Sequence, residues 1–160
     1  MDKAAIEQAL IAQDLCLLDH LQVHGEARLE TRCVLITGAT GFLGRYLLMT
    51  LLKQSQLQLL CLVRAATELQ AQEKLLKSLQ LFDASITTIP ARISVVCGRL
   101  TAPQFGLSEA SYQALAEQVD TVYHCAGEVN WVRTYRHLRE TNVIGTAEVV
   151  RFACTGQVQK

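Results

Sequence analysis

The chain has no surplus of either charge. Fifteen basic and fifteen acidic side chains give a formal net charge of +0, and without a clustered basic excess nothing in it addresses nucleic acid or an anionic membrane surface. It also lacks a long apolar run, so no stretch reaches the roughly 18 residues of a membrane span, and no signal-peptide pattern is present. Six cysteines stand at positions 16, 33, 61, 97, 125 and 154 without a Cys-x-x-Cys pair. With no Cys/His cluster either, the sequence argues against a metal site, and this cysteine usage fits a reducing, cytoplasmic setting with the thiols serving as small buried hydrophobes. What is abundant is apolar: 50% of the 160 residues are hydrophobic, enough for the core of one globular domain.

Residues 3 to about 20 read as an amphipathic helix, with Ile6, Leu10, Ile11, Leu15, Leu17, Leu18 and Leu21 at helical spacing. His24-Gly25-Glu26 breaks it, separating a helical lead-in (1–30) from the main unit (31–160). Short apolar runs then alternate with helical patterns. Strands are expected at 32–37, 57–63, 92–97 and 120–124, with helices at 42–52, 66–81, 108–118 and about 136–153. Ser108 is a plausible N-cap, Gly145 a pause, and Thr155-Gly156 a stop signal. Strands that alternate with helices pair in parallel through right-handed crossovers, which predicts an α/β, doubly wound, Rossmann-like sheet in the order 3-2-1-4. Four strands are a truncated version of that fold. With Val158-Gln159-Lys160 standing where a fifth strand would begin, the reading is of part of a longer protein whose fourth strand offers an exposed edge for dimerisation.

Thr37-Gly38-Ala39-Thr40-Gly41-Phe42-Leu43-Gly44 spaces glycines three apart between the first strand and the first helix of this unit. Gly38 permits a tight turn, Gly41 lets the backbone approach a pyrophosphate, and Gly44 allows close helix packing. The helix N-terminus that follows is an anion site in its own right. Dinucleotide binding follows from this loop in its strand-helix-strand context. At the end of the second strand, Leu62-Val63-Arg64-Ala65 has no acid to accept from a ribose 2′-hydroxyl, whereas Arg64 suits the 2′-phosphate of NADP. Lys74 and Lys77 add positive charge on the next helix.

These residues resemble the extended short-chain dehydrogenase/reductase family, and more narrowly the thioester reductase domains of nonribosomal peptide and polyketide synthases and the carboxylic acid reductases. The likeness runs from about 32 to 156 through Val34 to Gly44, Leu62 to Ala65, Gly106-Leu107-Ser108, Tyr123-His124-Cys125-Ala126-Gly127-Glu128-Val129-Asn130 and Thr141-Asn142-Val143-Ile144-Gly145-Thr146. It implies an NADPH-dependent reductase that releases a carrier-bound acyl or peptidyl thioester as aldehyde or alcohol. The cofactor would rest on Gly38, Thr40, Gly41, Phe42, Leu43, Arg64, Gly98, Leu100, Cys125, Ala126, Gly127 and Val129. Another extended reductase, a nucleotide-sugar epimerase and a non-catalytic NADP-binding module stay open as alternatives.

The resemblance has gaps. Gly98-Arg99-Leu100 replaces the usual Gly-Asp-Leu, so no adenine-side carboxylate carries over, and Gly127 stands where alanine is commoner. The family's catalytic Tyr-x-x-x-Lys is absent: Tyr46, Tyr112, Tyr123 and Tyr135 are followed four residues later by Thr50, Ala116, Gly127 and Arg139. The resemblance therefore places the catalytic pair beyond Lys160, assigns this chain no catalytic residue, and offers Asn142 only as an accessory. His124 has no acid or nucleophile spaced to partner it and reads as a packed strand-end histidine. Trp131 and Tyr135 are candidates for the edge of a substrate channel.

Overall fold

The structure, a computed structural model, describes residues 3–22 and 30–155. The expected break at His24-Gly25-Glu26, the stop at Gly156 and the final Val158-Gln159-Lys160 lie outside them. The elements are α1 (Lys3–Leu15), β1 (Cys33–Thr37), α2 (Phe42–Gln54), β2 (Gln58–Val63), α3 (Glu68–Gln80), β3 (Ile93–Cys97), a 3-10 turn (Pro103–Gly106), α4 (Glu109–Gln118), β4 (Thr121–His124), α5 (Tyr135–Arg139), a π-helical turn (Glu140–Ile144) and α6 (Gly145–Thr155). The strands form one parallel sheet in the order β3-β2-β1-β4. β3 and β4 are its outer strands among the described residues.

Helices cover both faces of the sheet, which explains why β1 and β2 are unbroken apolar runs rather than alternating ones. Cys33, Leu35, Leu60 and Leu62 point to one side, where they meet Leu115 and Tyr112 of α4 and Val149 and Phe152 of α6. Val34, Ile36, Leu59, Cys61 and Val63 point to the other, against Leu48 and Met49 of α2 and Ala71, Leu75 and Leu79 of α3. Desolvation there pushes the Cys61 thiol up to about 12, so it stays protonated and inert.

The helix starts are capped as their residues dictate. Thr67 accepts from the Gln70 amide and Ser108 from that of Ser111. In the 3-10 turn Gln104 and Phe105 adopt left-handed backbone angles, φ 53° and 57°, a strain that sinks the Phe105 ring between Tyr112 and Phe152, with centroids 5.9 and 5.3 Å away.

Two expectations need adjustment. The first helix ends at Leu15 instead of running on to about 20, because Arg151 takes the Leu17 carbonyl and the Leu21 amide turns to Leu18 instead. The last helix begins at Tyr135 and widens into the π turn before Gly145, where a Cβ would meet the Leu100 side chain at 2.9 Å. The lead-in packs on the main unit: Asp14 of α1 binds Arg139 and Tyr135 of α5. No described helix is long and apolar enough to cross a membrane.

Candidate functional site

A cleft of about 450 Å³ opens at the carboxyl ends of the strands, where β1 lies between β2 and β4 and the crossover direction reverses. Open parallel sheets bind ligands at such a point. One side is the glycine loop. Gly38 has φ +71°, and a Cβ there would stand 2.6 Å from the Ala126 amide nitrogen, so only glycine lets the turn off β1 pass the end of β4. A Cβ on Gly44 would run into the Gly38 carbonyl oxygen. Gly41 differs: its Cβ would meet only that same oxygen, at 3.2 Å, and the space beside it belongs to the cleft.

Gly41 is also the N-cap of α2, in extended conformation and without a side-chain cap. The amides of the first turn, from Phe42 onward, therefore have no intrahelical acceptor. With the positive end of the helix dipole behind them they suit an anion. The arrangement fits a dinucleotide pyrophosphate. A Cβ at Gly38 or Gly44 would collide with protein, whereas Gly41 faces open space.

At the β2 end, Arg64 lines the cleft and is solvent-exposed, and no carboxylate of the described residues is paired with it. The Lys74 ammonium donates to the Arg64 carbonyl at 2.8 Å, placing a second positive charge at this strand end. Lys77 is exposed on α3 and lies outside the lining. Gly98, Arg99 and Leu100 follow β3 into the cleft, and Cys125, Ala126, Gly127 and Glu128 follow β4. Burial pushes the Cys125 thiol up, so it is not a thiolate nucleophile at neutral pH.

Of the expected cofactor residues, Gly38, Thr40, Gly41, Arg64, Gly98, Leu100, Cys125, Ala126 and Gly127 line this one cleft. Phe42 (74% exposed), Leu43 (66%) and Val129 (85%) are not among its lining residues. For Phe42 and Leu43 the backbone amides are what remains on offer. Asn142 clamps the loop after β4: its Oδ1 accepts from the Glu128 amide at 2.7 Å and its Nδ2 donates to the Glu128 carbonyl at 2.9 Å. Tyr135 gives its hydroxyl to Asp14, away from the cleft, while Trp131 is 97% exposed.

His124 is half-buried and bonded on both ring nitrogens, to Thr37 and Thr146, and burial holds its pKa below the usual value. It is a packed strand-end histidine, as its lack of sequence partners implied. Thr37, Arg99, Thr101, Glu128 and Thr141 also line the cleft and were not singled out. Thr37 carried a legible signal, being a polar residue that closes an apolar strand just before the first glycine.

Comparison with known proteins places this geometry. The family model described as Male sterility protein (NAD_binding_4) matches residues 36–160. A linear gramicidin synthase polypeptide of Brevibacillus parabrevis is 38% identical over 152 residues, which cover 95% of this chain and 3% of that protein. The terminal R domain of the myxalamid PKS-NRPS pathway superposes with a TM-score of 0.74 at 31% identity, covering 91% of this chain and 40% of that one. A thiolation-reductase di-domain from an archaeal non-ribosomal peptide synthetase does so with a TM-score of 0.64 at 25% identity, covering 92% and 38%. The chain thus spans under half the length of each of these. It belongs to the NAD_binding_4, or male sterility protein, family, as a thioester-reductase-like member of the extended short-chain dehydrogenases/reductases that takes a nicotinamide cofactor.

Proposed function

We propose that this chain is the NADP(H)-binding part of a reductase that releases a carrier-bound acyl or peptidyl thioester as an aldehyde or, after a second reduction, an alcohol. One observation carries the reading: Gly41, unlike Gly38 and Gly44, faces open space where a Cβ would stand, and it lines the cleft, with the α2 N-terminus beside it and the Arg64 strand end on the same cleft. Gly38, Thr40, Gly41 and the amides of Phe42 and Leu43 would hold the pyrophosphate. Arg64, backed by Lys74, would pair with the 2′-phosphate. Gly98 and Leu100 take the adenosine side, and Cys125, Ala126 and Gly127 the nicotinamide side.

When bound, the reduced cofactor supplies a hydride. The chain's own contribution is to hold and orient it, since no tyrosine here is followed four residues on by a lysine to protonate a carbonyl oxygen. Residues 31–160 act as the binding unit, and α1 of the lead-in packs on it through Asp14. The thiolation-reductase neighbour supports a carrier-tethered substrate, and the outer position of β4 supports pairing along that edge, within the protein or between copies. Calorimetric titration with NADPH and NADH tests the reading. Binding of NADPH at least tenfold tighter is expected, and equal affinities, or none, would overturn it.

A further inference from the structure

We propose that His124 is a positioning residue: through Thr37 on one side and Thr146 with Asn142 on the other, it fixes the 125–128 segment that forms one wall of the cleft. The inference deepens the cofactor reading above and rests on it only where that wall is taken to face the dinucleotide.

The hydrogen bonds admit one set of directions. Thr146 Oγ1 donates to the Asn142 carbonyl at 2.8 Å. Its single proton is then committed, so the 3.1 Å contact with His124 Nε2 requires the ring nitrogen to donate. The neutral ring therefore carries its proton on Nε2, and Nδ1 accepts from the Thr37 hydroxyl at 2.6 Å. The Thr37 oxygen in turn receives the Ala126 amide at 3.4 Å. At the far end of the segment, Asn142 holds the Glu128 amide and carbonyl together. Both ends of 125–128 thus hang on one circuit, and its centre is an imidazole that must be neutral.

A proton on Nδ1 would face the Thr37 hydroxyl and leave that hydroxyl, in a residue 1% exposed, without an acceptor. The surroundings do not offset this. The ionisable side chain of β1 is Cys33, and Tyr123 and Cys125 flank the histidine. On α6, Glu148 is committed to Arg151 and the Gln104 amide. Glu140 of the π turn accepts from Thr101, and Glu128 is paired with Arg133. Among the described residues no charged side chain is paired with His124, and burial holds it below the usual value.

The test uses full-length protein, with Thr146→Val, Thr146→Ser and His124→Gln, read by amide hydrogen exchange at 125–128 and by NADPH affinity against pH. Thr146→Val, outside the cleft, should speed exchange in 125–128 about tenfold and weaken NADPH binding about fivefold. Thr146→Ser should restore both. Wild-type affinity should fall below about pH 6.5 more steeply than that of His124→Gln, which keeps only the protonation of the 2′-phosphate itself near about pH 6. Unchanged exchange in Thr146→Val, failure of the serine to rescue, or an acid step of equal size in wild type and His124→Gln would overturn the proposal. If the wild type bound no NADPH, the cofactor reading would fall, while the exchange data would still decide the role of His124.

Discussion

Asp14 grips Arg139 along one edge of the guanidinium with both carboxylate oxygens, Oδ1 accepting from Nη2 at 2.6 Å and Oδ2 from Nε at 2.7 Å, and accepts the Tyr135 hydroxyl at 2.6 Å. Residues 125 apart in sequence are joined by this one carboxylate, and with the Asp14 side chain only 4% exposed and that of Arg139 24% the pair is shielded enough to matter.

Replacing Asp14 with asparagine should destabilise the chain by about 1.5–3 kcal/mol at neutral pH, the range for hydrogen bonds to charged groups. The hydrogen bond from Arg139, foremost among several causes, holds the Asp14 carboxyl below the usual carboxylate range. Its stabilisation is therefore complete above the unfolded value near pH 3.9 and is lost as pH falls from there through the lower folded-state value. Urea unfolding of both proteins at pH 7 and pH 3.5 checks this. The gap between them should narrow in acid, and a constant gap would assign the contact to packing.

The two glycines that follow the turn should separate under mutation. Gly41→Ala adds one contact at 3.2 Å, so its melting temperature should stay within about 2 °C of wild type, while NADPH affinity falls at least tenfold, by about 1.4 kcal/mol or more. Gly44→Ala drives a methyl into the Gly38 carbonyl and should cost about 1–3 kcal/mol of stability. Thermal unfolding beside calorimetric titration distinguishes the two. Normal NADPH binding by Gly41→Ala would remove the pyrophosphate from this position.

Arg64→Ala should weaken NADPH binding by about 1.5–3 kcal/mol and leave NADH binding nearly unchanged. The side chain is exposed and carries no core contact, so stability should not move. Equal losses for the two cofactors would give Arg64 a structural role instead.

Gly127→Ala should be tolerated. A Cβ there would meet Asn142 Oδ1 at 3.7 Å, an ordinary contact, and the backbone angle is not left-handed. Restricting the unfolded chain should then raise stability by about 0.4–1 kcal/mol. Chemical denaturation measures it, and a loss of stability would mean that the segment after β4 needs the freedom of glycine.

The 160-residue chain should not oxidise NADPH when given a model acyl thioester, because it holds no tyrosine followed four residues on by a lysine to protonate the carbonyl oxygen. Absorbance at the reduced-nicotinamide band follows the reaction, and turnover would show that a proton donor has been overlooked.

The sequence disclosed those parts of the molecule whose cause is local. Strand and helix alternation, the Ser108 cap and the glycine turn follow from neighbours within a few residues, and Arg64 falls at a strand end by counting. The long-range contacts were not legible. Leu17 loses its helical acceptor role to Arg151, and Asn142 closes on Glu128 14 residues away. Phe42 and Leu43 fit the family motif, yet the motif constrains their amides and leaves their side chains to face solvent. Nor did Gln104 and Phe105 announce left-handed angles that glycine would have signalled, because the buried Phe105 ring offsets that cost.

β1 is apolar on both faces, so its hydrophobic pattern cannot choose among alignments with β4: a slip of one residue would exchange one greasy surface for another. The choice is made by polar ends. At the start of the ladder the wholly buried Asp120 carboxylate accepts from the Arg32 and Cys33 amides at 2.7 and 2.8 Å, and at its finish Thr37 meets His124. Any shifted alignment would strand a carboxylate and an imidazole together, so these pins act as a proofreading device for assembly of the sheet and hold the two cleft-lining loops at a fixed stagger.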